Sequence, residues 1–263
     1  MTSLAPSLTP DRRRVHVVSF DVDVVTEGEA VRAIVERAQA RVGGYVCAAN
    51  VHMVMEAHDD PAFAEVVSRA FLVVPDGMPL VWAQRLMGVA SAQRVRGPDL
   101  TLAVAKEAAR RGVSVALFGS TLEVSERFAQ ALVRQAPGLQ VAANISPPFG
   151  PSIDDPEYIA QIRDSGAGVV FVGLGCPKQE KWMARHAASL PAVLLGVGAA
   201  FDFHAGTLKE APQWLGNLGL EWLFRLASEP RRLWRRYLRH NPRFVVALAA
   251  QLLSSRTRAI RSG

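Results

Sequence analysis

Seven short apolar runs, alternating with stretches of helical periodicity, limit this chain to very few folds. They cover residues 15–20, 45–49, 71–74, 113–118, 139–143, 168–172 and 193–197, and valine is prominent in them. A strand that is apolar throughout must be buried on both faces. Parallel sheets meet that condition, because the helices that join their strands cover both sides. The intervening residues 26–41, 61–69, 79–87, 97–111, 122–135, 154–164 and 177–189 carry helical spacing or helix-start signals and supply those helices. The pattern predicts an α/β chain built on a mostly parallel sheet.

Beyond residue 206 the pattern changes. Residues 212–226, 229–239 and 242–253 read as three helices with no strand between them, and Pro230 and Pro242 mark two of their starts. The predicted organisation is a loose leader over 1–14, a catalytic body over 15–205 and a helical appendage over 206–263. No repeat or low-complexity segment interrupts it.

Charge follows the same division. Residues 225–263 hold ten arginines against one acid, Glu229, which gives +9 there and −3 for the rest of the 263-residue chain. A basic appendage on a mildly acidic body predicts an anionic partner for the tail: nucleic acid, phospholipid or a pyrophosphate. At roughly 100° per residue, Arg231, Arg232, Arg235, Arg236 and Arg239 fall on one arc, and Leu233, Trp234, Tyr237 and Leu238 fill the opposite one. That division suits an interfacial helix on an anionic membrane, or a helix docked on the body with a solvated basic face. No nucleic-acid motif accompanies it, and nucleic acid is not expected as a partner.

Composition removes other classes. Apolar residues make up 49% and charged residues 21%, as in a folded globular protein. The two cysteines, Cys47 and Cys176, lack CxxC partners, and no Cys/His group has zinc spacing. Asp21-Val22-Asp23 has the form of a sugar-nucleotide metal motif, but it reads better as a solvated strand end, and no metal is expected there. The leader lacks an apolar secretory core, and the apolar run 244–253 is too short to span a bilayer.

Candidate ligand groups gather where predicted strands end: Asn50, Asp76, Gly119-Ser120 and the stretch 173–180. In open α/β sheets that edge lines the ligand crevice. Asp76 follows an apolar strand and precedes a helix, so it reads equally as a helix cap or as a general base. In Gly173-Leu174-Gly175-Cys176-Pro177-Lys178-Gln179-Glu180 the glycines Gly173 and Gly175 allow close backbone approach. The helix after Pro177 would offer amides to a phosphate, and Lys178, Gln179 and Glu180 can bond a sugar or base. The loop is neither a GxGxxG fingerprint nor a Walker A loop, so no nicotinamide or other cofactor is expected. It also reads simply as a tight strand–helix turn. Asp202 and His204, after the last strand, read as a reactive pair or as a buried, satisfied one.

These segments resemble the WecG/TagA/CpsF bacterial glycosyltransferases, glycosyltransferase family 26. The resemblance rests on Val74-Pro75-Asp76-Gly77, Arg94-Val95-Arg96-Gly97-Pro98-Asp99, the stretches 173–180 and 196–206, Leu220-Glu221-Trp222-Leu223-Phe224-Arg225-Leu226, Glu229-Pro230-Arg231-Arg232 and Arg235-Arg236-Tyr237. It implies a Rossmann-like body whose appendage closes over the active site. It also implies inverting, metal-independent transfer of a hexose, of N-acetylmannosamine, N-acetylmannosaminuronate or glucose type. The donor would be a UDP-sugar and the acceptor a polyprenyl-pyrophosphate-linked sugar, in cell-surface polysaccharide synthesis on the cytoplasmic membrane face. By the same resemblance Asp76 is the base, Asn50, Arg94 and Gln179 line the pocket, and Arg225, Arg232 and Arg235 hold the diphosphate. A homo-oligomer that stores the appendage in an open form is a further expectation. The alternative is a non-catalytic nucleotide- or lipid-binding regulator that uses the same crevice. Two departures stand out: Ala48-Ala49-Asn50 replaces the usual Thr-x-Asn, and Glu210-Ala211-Pro212 replaces Arg-Ala-Pro.

Overall fold

The computed structural model describes residues 12–148, 150–217 and 219–261; the leader expected over 1–14 lies mostly outside that set. The elements follow in the order β1 (Arg14–Val17), β2 (Phe20–Asp23), α1 (Glu27–Gln39), β3 (Gly44–Ala49), α2 (Val51–Asp59), α3 (Pro61–Ser68), β4 (Leu72–Pro75), α4 (Met78–Leu86), α5 (Gly97–Arg110) and β5 (Val115–Gly119). They continue with α6 (Leu122–Gln135), β6 (Val141–Ile145), a 3-10 turn, α7 (Pro156–Asp164), β7 (Val169–Gly173), α8 (Lys178–His186), β8 (Val193–Gly196), α9 (Ala200–His204), α10 (Gln213–Asn217), α11 (Glu221–Ser228) and α12 (Pro230–Arg261).

Six strands form one sheet in the order β4-β3-β8-β7-β5-β6, and every pairing in it is parallel. The pleat explains why these strands carry no polar alternation. Along β3, Tyr45, Cys47 and Ala49 enter one apolar layer, and Val46 enters the other. The first layer is closed by Met53 of α2, Phe63 of α3 and Trp182 of α8; the second by Ile34 of α1, Leu100 and Val104 of α5 and Phe128 of α6. Connections that move along the sheet in one direction place their helices on one face, and those that move back place them on the other. That is the rule for right-handed crossovers. The result is the Rossmann-like α/β sandwich.

The first predicted strand is where the structure departs most from the sequence reading. Residues 15–20 do not join the main sheet. They turn at Val18, at φ 60°, and β1 and β2 pair antiparallel as a separate hairpin. Asp23 is not a solvated strand end: it is fully buried, and its Oδ2 accepts from the Val73 amide at 2.8 Å. Val73 lies on the edge strand β4, so this carboxylate satisfies a donor that no neighbouring strand pairs. Arg12 and Arg14 hold Asp23 in place, at 3.3 and 3.1 Å. Asp21 is exposed and pairs with His16. Helix α2 was not predicted; it fills the stretch between Asn50 and α3.

The appendage also differs. Pro242 starts no helix; it lies inside α12, which runs unbroken for 32 residues. Proline removes one amide and leaves the carbonyl four residues back, at Leu238, without a partner, at a cost of about 3 kcal/mol. Both Leu238 and Pro242 are exposed, so water can take up that carbonyl. Leu233, His240 and Phe244, buried on either side, hold the helix to the body. Near its far end Gln251 bonds the Val18 amide and the His16 carbonyl, each at 2.8 Å, and pins α12 to the hairpin. No helix among the described residues is long and apolar enough to cross a membrane.

Candidate active site

Asp76 follows β4, but Gly77, not Asp76, is the cap residue of α4. The Asp76 Oδ1 instead accepts from the Gly97 amide at 2.8 Å, so the carboxylate caps α5 from across the edge of the sheet. The cap reading thus holds for α5 rather than for the helix that follows Asp76. One oxygen is fixed by a helix amide, and among the described residues no donor engages the other. Burial pushes the Asp76 carboxyl above its usual range, and Arg94 and the Gly97 amide pull it back only in part. Arg94 also donates through Nε to the Asp76 carbonyl. Asn50 closes the arrangement from β3. It caps α2 through Oδ1 to the Met53 amide at 3.2 Å.

Asn50, Asp76 and Arg94 line a cavity of about 530 Å³ whose other wall is the appendage. Glu221 of α11 reaches across it to Arg94 at 2.8 Å and Arg96 at 3.5 Å. Burial raises the Glu221 carboxyl, but Arg94, Arg96 and Arg225 outweigh that and hold it low. Gly219 has φ 70°, and a Cβ there would lie 2.6 Å from the Trp82 ring; only glycine lets the appendage approach α4 so closely. One limb of the cavity is polar: Asp76, Arg94, Glu221, Arg225 and Arg236. The other runs between α4 and α12 and is apolar, walled by Met78, Trp82, Leu86, Phe244, Leu248 and Leu252.

The arginines predicted to face a diphosphate separate in the structure. Arg225 lines the cavity and lies over the Phe203 ring at 5.5 Å. Arg235 is exposed, stacks over Trp234 and does not line the cavity; the Arg232 side chain lies outside the described residues. Arg236 lines it instead. Helix geometry accounts for this. The buried stripe of α12 is Leu233, His240 and Phe244, at roughly 3.6-residue spacing, and it falls at the edge of the apolar arc, on the side next to Arg236. Trp234, Leu238 and Val245 therefore stay exposed beside it. The sequence reading missed Arg236, His52, His240 and Trp82 as pocket residues, because docking of α12 alone brings them together.

The glycine-rich predictions occupy a neighbouring part of the same edge and do not line this cavity. A Cβ on Gly119, at φ 113°, would lie 2.6 Å from the Gly173 carbonyl, and one on Gly173 would lie 2.8 Å from the Phe201 ring. Ser120, at φ 60°, donates its amide to the Gly173 carbonyl at 3.0 Å. Gly175 and Lys178 are exposed. Gln179 is buried; its Oε1 accepts from the Gly175 amide at 3.2 Å and its Nε2 donates to Glu180 at 2.7 Å. Gln179 and Glu180 thus shape the loop from beneath. His204 bonds the Pro98 carbonyl and stacks on Phe128, and Asp202 accepts from Thr207, which are structural roles. Of the two departures, Glu210 pairs with Arg96 at 3.3 Å, and Ala48 lies beneath Gly97 beside the Asp76 carboxylate.

Glu180 has a measurable signature. It is fully buried, and burial pushes its carboxyl up to about 7 from 4.5. A raised carboxyl means that the folded chain keeps a proton which the unfolded chain releases. Stability therefore falls as pH rises from about 4.5 to about 7. Glu180→Gln removes that loss. Its advantage over the parent chain in thermal melts is expected to grow between pH 5 and pH 8, to on the order of 2 kcal/mol. An advantage that does not change with pH contradicts the assignment.

The family model described as "Glycosyl transferase WecG/TagA/CpsF family" matches residues 15–258. A Bacillus spizizenii protein, N-acetylglucosaminyldiphosphoundecaprenol N-acetyl-beta-D-mannosaminyltransferase, is 31% identical over 207 residues, which cover 78% of this chain and 79% of that protein.

Proposed function

Because this chain belongs to the WecG/TagA/CpsF glycosyltransferase family, we propose that it moves a hexose, of N-acetylmannosamine type, from a UDP-sugar to a sugar carried on a polyprenyl diphosphate. One observation carries this reading: Asp76, with one oxygen unengaged, opens on a cavity that is cationic at one end and apolar at the other. The acceptor's chemistry has the same order, a sugar hydroxyl, then a diphosphate, then a hydrocarbon chain. The hydroxyl meets Asp76, Arg225 and Arg236 meet the diphosphate, and the first isoprene units enter between α4 and α12.

The donor lies toward the loops after β5 and β7, where Gly119 and Gly173 keep the backbone close and Gly175 leaves it open. Asp76 takes the acceptor proton as the hydroxyl oxygen bonds to the anomeric carbon, and the bond from that carbon to the UDP oxygen breaks with inversion. Charge grows on the departing diphosphate. Fixed arginines and amide dipoles stabilise it there without reorganising. Val245 on α12 and Leu86 on α4 line the cavity and are exposed, and Trp234 and Leu238 are exposed nearer the start of α12, beside the arginines; this supports peripheral attachment to an anionic membrane.

The test is UDP release with two acceptors that share a sugar diphosphate, one with a long polyprenyl chain and one with a short alkyl chain. Leu252→Asp, at a wall position outside the packed core, is expected to raise KM for the long acceptor at least tenfold and to leave KM for the short one within a few-fold. Absence of acceptor-dependent UDP release from every UDP-sugar tried contradicts the proposal.

A further inference from the structure

Two histidines and a glutamate meet where α2 and α12 cross. His52 and Glu56 are one turn apart on α2, and His240 arrives from α12. The Glu56 Oε1 lies 3.7 Å from the His52 Nδ1 and 3.6 Å from the His240 Nε2, and one ligand atom from each residue falls within 4.8 Å of the others. These separations are too long for hydrogen bonds. They are close to the spacing of ligand atoms around a tetrahedral ion, roughly 3.3 Å when each bond is about 2.0–2.1 Å. We propose that His52, Glu56 and His240 bind one divalent transition-metal ion, of zinc type, that fastens the appendage to the body.

Three further observations favour an ion over a pair of idle imidazoles. His240 is only 5% exposed, and the His52 Nδ1, the ring nitrogen 3.7 Å from Glu56, has no hydrogen-bond partner. Buried polar atoms are rarely left so. The His52 ring also lies beside the backbone of Cys176, the kind of outer group that fixes the tautomer of a metal-binding histidine. Two imidazoles and one carboxylate form a donor set suited to zinc, with a fourth position left for water. Both histidines line the cavity, so that position faces it. Arg236 lies close to His52 and opposes a cation there. Arg239 and Arg243 oppose it less, because Asp59 binds both. The ion takes no part in sugar transfer; it holds α12 against the helix that Asn50 caps.

The experiment uses the untagged full chain, stripped with chelator and titrated with Co²⁺ as an optical probe and with Zn²⁺. The expected result is one ion per chain, with tetrahedral Co²⁺ bands that Zn²⁺ abolishes. His240→Gln and Glu56→Gln should each weaken binding at least tenfold, and Arg236→Gln should tighten it. Zn²⁺ should also slow tryptic cleavage in the arginine-rich tail of the parent chain and not of His240→Gln. If His240→Gln folds poorly, the opposite response of Arg236→Gln still decides the matter. No binding, or binding that none of the three substitutions changes, overturns the proposal.

Discussion

Asp76→Asn should lower kcat by on the order of 10²–10⁴-fold, the range over which a positioned base contributes. The substitution keeps the shape of the side chain and keeps an oxygen to accept from the Gly97 amide, so the cap on α5 survives. Only the capacity to take a proton is lost. Thermal stability and acceptor KM should stay close to those of the parent chain, because the charge removed is one that burial already disfavours. The same burial fixes the sign of the pH dependence. With Asp76 as the proposed base, activity of the parent chain needs the ionised carboxylate. It is therefore lost as pH falls through a pKa above the usual aspartate value, and the acid limb of kcat/KM should lie above that value. Initial rates of UDP release across pH check both points. A variant with turnover near the parent's removes Asp76 from the role of base.

The second large effect belongs to Glu221. Its carboxylate lies among Arg94, Arg96 and Arg225 and ties α11 to the loop between α4 and α5. Glu221→Ala removes this counter-charge from Arg94 and Arg225 and leaves Arg96 with Asp99 and Glu210 alone. Removing one partner of a fully buried pair costs about 3–5 kcal/mol; this pair is partly open to solvent, so about 2 kcal/mol is expected. At 1.36 kcal/mol per tenfold, the closed appendage becomes less populated by about 30-fold. The loss should appear in kcat/KM, together with faster tryptic cleavage of the tail. The main sheet does not depend on this contact, so its unfolding transition should barely move. Unchanged kcat/KM would mean that the cavity forms without this tie.

The sheet was legible because parallel strands covered on both sides must be apolar at nearly every position, as β5 and β7 are. The hairpin was not. The turn at Val18 uses a positive φ at a residue that gives no turn signal, so β1 and β2 read as the start of one strand. Proline at 242 predicts a helix start on local grounds. Packing of Leu233, His240 and Phe244 overrides it, and the freed carbonyl is on the wet side. Asn50 and Asp76 could be placed at the cavity, and Gly173 on the neighbouring part of the same edge, because strand ends in such sheets lie together. Asp76 as the cap of a helix 21 positions downstream could not, since Gly97 comes beside it only in the folded sheet. Arg235 is expected at the diphosphate from the family resemblance; it shares the basic arc with Arg236, and only the docking of α12 decides that Arg236 lines the cavity.

The transfer product made on acceptor-loaded vesicles tests the central claim most directly. Lipid extracted after reaction with the donor UDP-sugar should be heavier by one hexose-type unit for each UDP released. The new linkage should have the anomeric configuration opposite to that of the donor. UDP formed without a heavier lipid, or a product that retains the donor's configuration, would contradict a direct displacement with Asp76 as base.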